Sequence, residues 1–137
     1  MKPLIYFICT GNSARSQMAE GFARQMLGDR FEILSGGLEP SQLHPLAVRA
    51  MAEAGLDISQ QHSKPIDVDR LRSAHLAVTL CGDAEERCPM TPPEVRRLHW
   101  GLPDPARAEG DEAARLQIFR EVRDALRTHL QNLADSL

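Results

Sequence analysis

Short apolar runs alternate along the chain with longer segments in which apolar residues recur every three or four positions. Continuous apolar runs are typical of buried strands, whereas the wider spacing is typical of amphipathic helices. The pattern predicts four strands, at residues 4–8, 31–35, 75–80 and 96–100. It predicts four helices, at residues 14–26, 44–54, 67–74 and 111–134. The charged residues of the last strand place it near an edge of the sheet.

The order of these elements predicts an α/β fold. Parallel strands need crossover connections, usually helices, so we expect a four-stranded parallel sheet with helices on both faces. A chain of 137 residues has room for one core, which predicts a single domain over residues 1–137. Active sites of such sheets lie beyond the carboxyl ends of the strands. Cys9 and Cys81 each follow a strand directly, so both are expected at that edge.

Composition narrows the class of protein. Apolar residues make up 42% of the chain and the formal net charge is −3, which argues against general affinity for nucleic acid or membranes. No apolar stretch is long enough to span a bilayer, and the first residues lead into a strand rather than a signal peptide. The odd number of three cysteines does not fit a closed disulfide framework. We expect a cytoplasmic monomer whose cysteines serve catalysis, redox exchange or metal binding.

The most informative motif lies between the first strand and the first helix. Cys9 ends the strand, small and polar residues follow, and Arg15 enters the helix. The amides of such a loop and the helix N-terminus favour negative charge at one point, where a guanidinium can bind two anion oxygens. The predicted anion-binding loop consists of Thr10, Gly11, Asn12, Ser13, Ala14, Arg15 and Ser16.

Cys9 is predicted to be a nucleophile, because a positive field that binds an anion also favours the thiolate form of a cysteine. The Ser16 hydroxyl is placed to donate a hydrogen bond to that thiolate. A cysteine after an apolar run is more often an inert buried residue, and its spacing to Arg15 recurs by chance. The preceding strand, the following helix and the small residues between them favour the catalytic interpretation.

The other two cysteines, Cys81 and Cys88, flank a polar segment of six residues. One interpretation is a metal-binding pair completed by His75 or His99. The spacing matches no common zinc motif and the sequence has no second cysteine pair, so no metal is expected there. The other interpretation is a pair of redox-active thiols.

Several blocks of the chain are similar, in order and spacing, to one family. The blocks are residues 5–13, 15–21, 35–37, 78–81, 88–89, 92–93, 99–101 and 104–105. On these blocks the chain resembles the thioredoxin-coupled arsenate reductases, which share the fold of the low-molecular-weight phosphotyrosine phosphatases. The resemblance covers nearly the whole chain. It implies reduction of arsenate to arsenite in arsenic detoxification, with no tightly bound cofactor and with thioredoxin as the partner that supplies electrons.

The resemblance also implies a role for each cysteine. Cys9 attacks arsenate as a hydroxyl leaves, and Cys81 then attacks Cys9, releasing arsenite and leaving a Cys9–Cys81 disulfide. Cys88 attacks Cys81, and thioredoxin reduces the resulting Cys81–Cys88 disulfide. If residues 81–88 were helical, the two α-carbons would be about 10 Å apart, whereas a disulfide needs them within roughly 7 Å. We therefore predict that this segment unwinds on oxidation.

Asp104 lies between two prolines, on a turn where aspartate is most often structural. The resemblance makes it the general acid that protonates the departing oxygen. Phosphotyrosine phosphatases carry a tyrosine after this Asp-Pro pair, which stacks on the substrate ring, whereas this chain has Ala106. The difference favours a small inorganic oxyanion as substrate.

The chain departs from the family's pattern at two positions. Many relatives have a cysteine in the anion-binding loop where this chain has Ala14, but that thiol is not one of the three redox positions. Some members bind potassium beside the loop, and Asn12, Glu20 and Ser35 match three of its ligands. The fourth ligand, an aspartate in those members, is Lys64 here. Its ammonium can supply the same positive charge with Glu20 as partner; the alternative is a solvated surface lysine.

Two other functions are compatible with the sequence. A phosphatase of the same fold would act on phosphate monoesters. A non-catalytic protein would hold an oxyanion in the loop and use its cysteines as a redox or arsenite sensor. Activity on an aryl phosphate far above that on arsenate would favour the first, and multiple turnover with thioredoxin would exclude the second.

Overall fold

The computed structural model describes residues 2–82 and 88–137. Its strands are β1 Leu4–Cys9, β2 Glu32–Gly37, β3 Leu76–Cys81 and β4 Arg96–Leu102. Its helices are α1 Arg15–Leu27, α2 Pro45–Glu53, α3 Val68–Arg72 and α4 Glu112–Ser136, and a short 3₁₀ helix covers Pro105–Arg107. Each predicted strand and helix is present in the predicted order, with differences only at the ends.

The four strands form one parallel sheet, as the alternation of strands and helices predicted, and their order within it is β2-β1-β3-β4. Every residue of β1 and β3 is buried, which explains why these two strands are continuous apolar runs. β4 lies at an edge, also as predicted, and its residues Arg96, Arg97 and His99 are exposed. The carboxyl ends of β1 and β3, and with them Cys9 and Cys81, are therefore neighbours.

Helices cover both faces of the sheet, and the larger core lies on the face of α1, α2 and α4. The apolar positions predicted for α4 are all buried there: Leu116, Phe119, Val122, Leu126, Leu130 and Leu133. The opposite face carries a smaller cluster that includes Tyr6, Ile8 and Leu71 of α3. The Tyr6 hydroxyl accepts a hydrogen bond from the Asp67 amide and anchors the start of α3 to the sheet.

The ends of the two short helices differ from the prediction because polar side chains cap them. His44 is the residue before α2, and its Nδ1 accepts a hydrogen bond from the Leu46 amide. Asp67 likewise precedes α3 and accepts from the Arg70 amide. Both residues were predicted to be the first of their helices. Capping residues are half outside the helix, which accounts for the difference of one residue.

Residues 83–87 lie outside the described residues, and so does most of the 81–88 segment for which we predict unwinding. In the part of the chain that the structure describes, no helix has the length and apolar character needed to cross a bilayer.

Candidate active site

The loop after β1 is shaped from outside by residues 38–44. Four loop carbonyls accept hydrogen bonds from amides of this segment: Cys9 from Leu38 (3.1 Å), Thr10 from Glu39 (2.8 Å), Gly11 from Ser41 (3.2 Å) and Ser13 from His44 (2.9 Å). Because these carbonyls point outward, the opposite sides of the peptide units, which carry the amide hydrogens, turn towards the inside of the loop. Successive inward amides form the concave receptor that binds anions.

Asn12 holds the loop in its unusual conformation. Among the described residues other than glycine, Asn12 has a positive φ angle, of 48°. Its backbone amide donates a hydrogen bond to Cys9 Sγ at 3.2 Å. Gly37 of β2 packs against this turn, because a Cβ there would lie 2.8 Å from the Asn12 nitrogen and from the Thr10 oxygen. Only glycine allows the strand and the loop to approach this closely.

The Asn12 side chain holds the serine that contacts the Cys9 thiol. Its Oδ1 accepts from the backbone amide of Lys64 at 2.9 Å, so its Nδ2 is the donor, reaching Ser16 Oγ at 2.7 Å. Ser16 Oγ lies 2.9 Å from Cys9 Sγ. When Cys9 is a thiolate its sulfur can only accept, so the Ser16 hydroxyl, which accepts from Asn12, then donates its own hydrogen to the sulfur. Cys9 thus receives one backbone and one hydroxyl hydrogen bond, an arrangement suited to a thiolate.

The N-terminus of α1 adds positive potential at the same place. The residue before the helix is Ala14, whose side chain cannot cap it, and the first turn contains no acidic residue. The first-turn amides of an uncapped helix are donors for a bound anion. The sequence predicted this arrangement, and the structure brings Cys9, the loop and the helix end together.

Arg15 is fixed by the ends of the neighbouring strands. Its buried guanidinium donates from Nη1 to the carbonyls of Leu80, at 3.3 Å, and Leu102, at 3.0 Å. Its Nη2 lies 3.7 Å from Asp104 Oδ2, while Oδ1 accepts from the Ala106 amide at 3.0 Å. The structure therefore brings Asp104 to the anion-binding loop through Arg15, and Asp104 also caps the 3₁₀ helix.

Cys81 ends β3 and Cys88 follows the strand, and all three cysteines are present as thiols. Cys81 is the buried last residue of the strand, and Cys88 is half-buried. Side chains alternate along β1 and β3, whose pairing runs from Ile5–Leu76 to Ile8–Thr79, so Cys9 and Cys81 start on opposite faces of the sheet. The structure thus places these two cysteines at the carboxyl ends of adjacent strands, as expected, but with their side chains starting on opposite faces.

The four residues of the predicted cation site are in contact. Lys64 Nζ donates to Glu20 Oε1 at 3.2 Å, to Ser35 Oγ at 3.0 Å and to the His62 carbonyl at 3.3 Å. Asn12 Nδ2 also donates to Ser35 Oγ, at 3.1 Å, and the Ser35 hydroxyl donates to the buried Glu20. Lys64 is therefore not simply a solvated surface lysine. Its ammonium contacts three oxygen atoms, from Glu20, Ser35 and His62, at the position of the predicted cation site.

Three residues that support the loop were not predicted. Gln17 donates from Nε2 to Asn12 Oδ1 and to the His62 carbonyl, and Gln61 in turn donates to Gln17. Ser63 donates to the Gly11 carbonyl. Gln17 adjoins the motif, but Gln61 and Ser63 are distant in sequence, and their only signal is a polar segment before Lys64. Within residues 2–82 and 88–137, no group of three or more His, Cys, Asp or Glu residues is arranged to hold a metal ion.

The chain is similar over nearly its whole length to known proteins. Residues 4–137 match the family described as low molecular weight phosphotyrosine protein phosphatase. An arsenate reductase of Bacillus subtilis (strain 168) is 55% identical over 133 residues, which are 97% of this chain and 96% of the relative. A solved arsenate reductase in the phosphate binding state has a TM-score of 0.77 and 35% identity over 99% of this chain and 98% of its own. A thioredoxin-dependent arsenate reductase of Corynebacterium glutamicum has a TM-score of 0.71 and 30% identity over 99% of this chain and 64% of its own.

Proposed function

This chain belongs to the low molecular weight phosphotyrosine protein phosphatase family, and we propose that it reduces arsenate to arsenite with thioredoxin as the electron donor. The observation that carries the proposal is the environment of Cys9. Its sulfur accepts from the Asn12 amide and lies 2.9 Å from Ser16 Oγ, inside a loop whose carbonyls face outward. This environment supports attack by a thiolate on a bound oxyanion.

In the first step Cys9 forms a bond to arsenic as an arsenic–oxygen bond breaks. The loop amides and Arg15 bind the remaining oxygens, where negative charge is concentrated. Asp104 gives its proton to the departing oxygen, which leaves as water. Its position beside Arg15, at 3.7 Å, supports this role because an acid must lie close to the bound anion.

In the following steps the cysteines supply two electrons. The Cys81 thiolate attacks the Cys9 sulfur, the sulfur–arsenic bond breaks with its electron pair on arsenic, and As(V) becomes As(III). Cys88 then attacks Cys81 and releases the Cys9 thiolate. Thioredoxin reduces the Cys81–Cys88 disulfide and becomes oxidised itself. The thiols at the end of β3 and at Cys88 support this sequence, as does the thioredoxin dependence of the Corynebacterium glutamicum relative.

Thioredoxin would dock on an apolar groove whose lining includes Pro89, the residue that follows Cys88 in the chain. The groove has a volume of about 770 Å³ and runs between the segment 89–94 and the start of α3. Three exposed apolar side chains line it: Leu38, Val68 and Met90, which are 38%, 54% and 91% exposed. Exposed apolar side chains in a groove whose lining includes Pro89, the residue after Cys88, favour a protein partner at this position.

We further propose that Lys64 replaces a bound cation, so that no metal or other resident cofactor is needed. Its ammonium lies 3.2 Å from Glu20 Oε1 and, together with Arg24 at 3.0 Å from Oε2, balances the charge of this buried carboxylate. A cytoplasmic location and a monomeric state complete the proposal, since a reducing compartment keeps such thiols available.

The test is arsenite production with thioredoxin, thioredoxin reductase and NADPH, and with each of the three omitted in turn. We expect many turnovers with the complete system, none for Cys9→Ser, and at most one arsenite per chain without thioredoxin. Equal turnover in the absence of thioredoxin would contradict the proposed donor.

A phosphatase function is the second candidate, favoured by the family to which the chain belongs. The same assay mixture with an aryl phosphate separates the two. Hydrolysis much faster than arsenate reduction would replace the proposal. Ala106 after Asp104-Pro105 provides no ring to stack on an aryl group, so we expect the opposite result.

A further inference from the structure

Gly82 lies directly against the backbone of Leu102, where β3 and β4 end. Cys81 pairs in register with Leu102, and Gly82 follows Cys81 in the chain. A Cβ at Gly82 would lie 2.4 Å from the carbonyl carbon and the carbonyl oxygen of Leu102, and 2.5 Å from its nitrogen. Ordinary contact of a Cβ begins at 3.4 Å, so a side chain at position 82 would force the two backbones about 1 Å apart. Only glycine allows this approach.

The carbonyl oxygen in this contact is one of two that hold Arg15. Arg15 Nη1 donates to the Leu102 carbonyl at 3.0 Å and to the Leu80 carbonyl at 3.3 Å. Nη1 carries two hydrogens, and two acceptors on one nitrogen fix the plane of the rigid guanidinium. The position of the Leu102 carbonyl therefore determines how the whole guanidinium is oriented towards the anion-binding loop.

Pro103 restrains the same carbonyl from the next position in the chain. A residue before proline is held in extended backbone, so Leu102 has little freedom to turn its carbonyl away from Arg15. The Pro103 side chain is itself exposed. The acceptor for Arg15 thus depends on a glycine that allows close approach and on a proline that limits rotation of the backbone.

We propose that Gly82 is a positioning residue for the oxyanion site, because its missing side chain allows the Leu102 carbonyl to hold Arg15. The proposal rests on the proposed function only in taking Arg15 as a ligand of the oxyanion. A guanidinium that binds two anion oxygens loses hydrogen-bond energy when its plane turns, because both bonds depend on direction. The residue that follows Cys81 therefore affects how tightly the oxyanion is bound.

The test measures how well inorganic phosphate, a tetrahedral oxyanion, protects Cys9 from iodoacetamide. Modification of Cys9 is followed by mass spectrometry of the peptide that contains it. We expect Gly82→Ala to raise the phosphate concentration for half-protection about tenfold, the scale of one hydrogen bond to a charged group. Without phosphate, Cys9 should react at nearly the parent rate, because its contacts with Asn12 and Ser16 lie outside the contact of Gly82 with Leu102.

Gly28→Ala is the matched control. A Cβ at Gly28 would also lie 2.4 Å from a backbone oxygen, that of Arg24, but at the opposite end of α1 from Arg15. Both substitutions should lower the melting temperature, and only Gly82→Ala should raise the phosphate concentration for half-protection. An equal rise in the two variants would overturn the proposal, because it would reflect a general loss of packing.

A second background shows whether Gly82 acts through Arg15. The ammonium of Arg15→Lys is a flexible point charge with no plane to fix, so Gly82→Ala should weaken phosphate binding less in this background than in the parent chain. The same loss in both backgrounds would overturn the proposal.

Pro103→Ala keeps the proposal testable if Gly82→Ala does not fold, because it changes an exposed residue. It gives the Leu102 backbone more freedom and should weaken phosphate binding roughly two- to fivefold. If Gly82→Ala does not fold, an unchanged phosphate affinity in Pro103→Ala overturns the proposal.

Phosphate protection is measured without arsenate, which separates this proposal from the proposed function. If the complete thioredoxin system produces no arsenite but Gly82→Ala still weakens phosphate binding, the proposed function fails and the role of Gly82 stands. If arsenite is produced and phosphate binding is insensitive to Gly82→Ala, the role of Gly82 fails and the proposed function stands.

Discussion

Two serines of the loop around Cys9 have different contacts, so mutations can distinguish the effects of their side chains. Ser16 lies 2.9 Å from the sulfur, whereas Ser13, among the described residues, contributes its carbonyl to the loop and no side-chain hydrogen bond. Ser16→Ala should lower kcat/KM for arsenate by about tenfold or more, because it removes a donor to a charged atom. It should also slow modification of Cys9 by iodoacetamide. Ser13→Ala is the matched control, and equal losses in both variants would contradict this assignment.

Asp104 has two contacts, which a conservative substitution distinguishes. Its Oδ1 caps the 3₁₀ helix and its Oδ2 lies beside Arg15. Asp104→Asn keeps an acceptor for the cap but removes the acidic proton, so it should slow formation of the Cys9–arsenic adduct by about 10²- to 10⁴-fold. Disulfide exchange between the cysteines should proceed at the normal rate. Rapid-quench measurement of the two steps tests this, and a slow second step would argue for a structural role only.

At the scale of an element, the cap of α2 makes stability depend on pH. Burial, followed by the Arg115 charge, lowers the pKa of His44, whose Nδ1 accepts from the Leu46 amide. The folded protein therefore binds fewer protons than the unfolded chain, whose histidines titrate near about 6.5. The free energy of unfolding should fall as the pH decreases below that value.

The variant His44→Asn tests this pH dependence. Asparagine is a good N-cap that does not titrate, so urea unfolding between pH 8 and pH 5 should show a shallower decrease than in the parent chain. Burial also lowers the pKa of His129, so part of the dependence should persist. An unchanged decrease in His44→Asn would show that this cap is not responsible.

Lys64 joins α1 to β2 through Glu20 and Ser35. If its ammonium takes the place of a cation, exchange of sodium for potassium should leave the melting temperature and activity nearly unchanged. Lys64→Asp should create a potassium-dependent rise in melting temperature, because a ligand that binds the native state stabilises it by mass action. Lys2→Asp, at an exposed lysine, is the control for charge. A clear potassium response of the parent chain would contradict the prediction.

At the scale of the whole molecule, the groove beside Cys88 should govern the encounter with thioredoxin. Met90→Glu places a charge in the groove at a side chain that is 91% exposed, so the fold should not change. We expect the KM for thioredoxin to rise about tenfold, the effect of roughly 1.4 kcal/mol in binding. Single-turnover arsenite release without thioredoxin should stay the same. Leu137→Glu, at an exposed apolar residue of the C-terminus, is the control and should leave that KM unchanged.

The parts of the molecule that the sequence predicted are those determined by local pattern. The parallel sheet, the edge position of β4 and the contact of Ser16 with Cys9 follow from apolar runs and from one continuous motif. The contributions of Gln61 and Ser63 were missed because their partners lie 44 and 52 residues away in the chain. A pattern along the chain carries no signal for such pairs.

Residues 38–44, which form a frame around the anion-binding loop, are constrained in their backbone rather than in the identity of their side chains. It contributes backbone amides, from Leu38, Glu39, Ser41 and His44, and any amino acid except proline supplies such a donor. Side chains in the frame are therefore open to change, while proline is excluded from four positions. The chain follows this rule. Pro40 lies within the segment and Pro45 directly follows it, and neither position supplies an amide to the loop. A comparison of sequences would record this segment as variable, although the shape of the arsenate site depends on it.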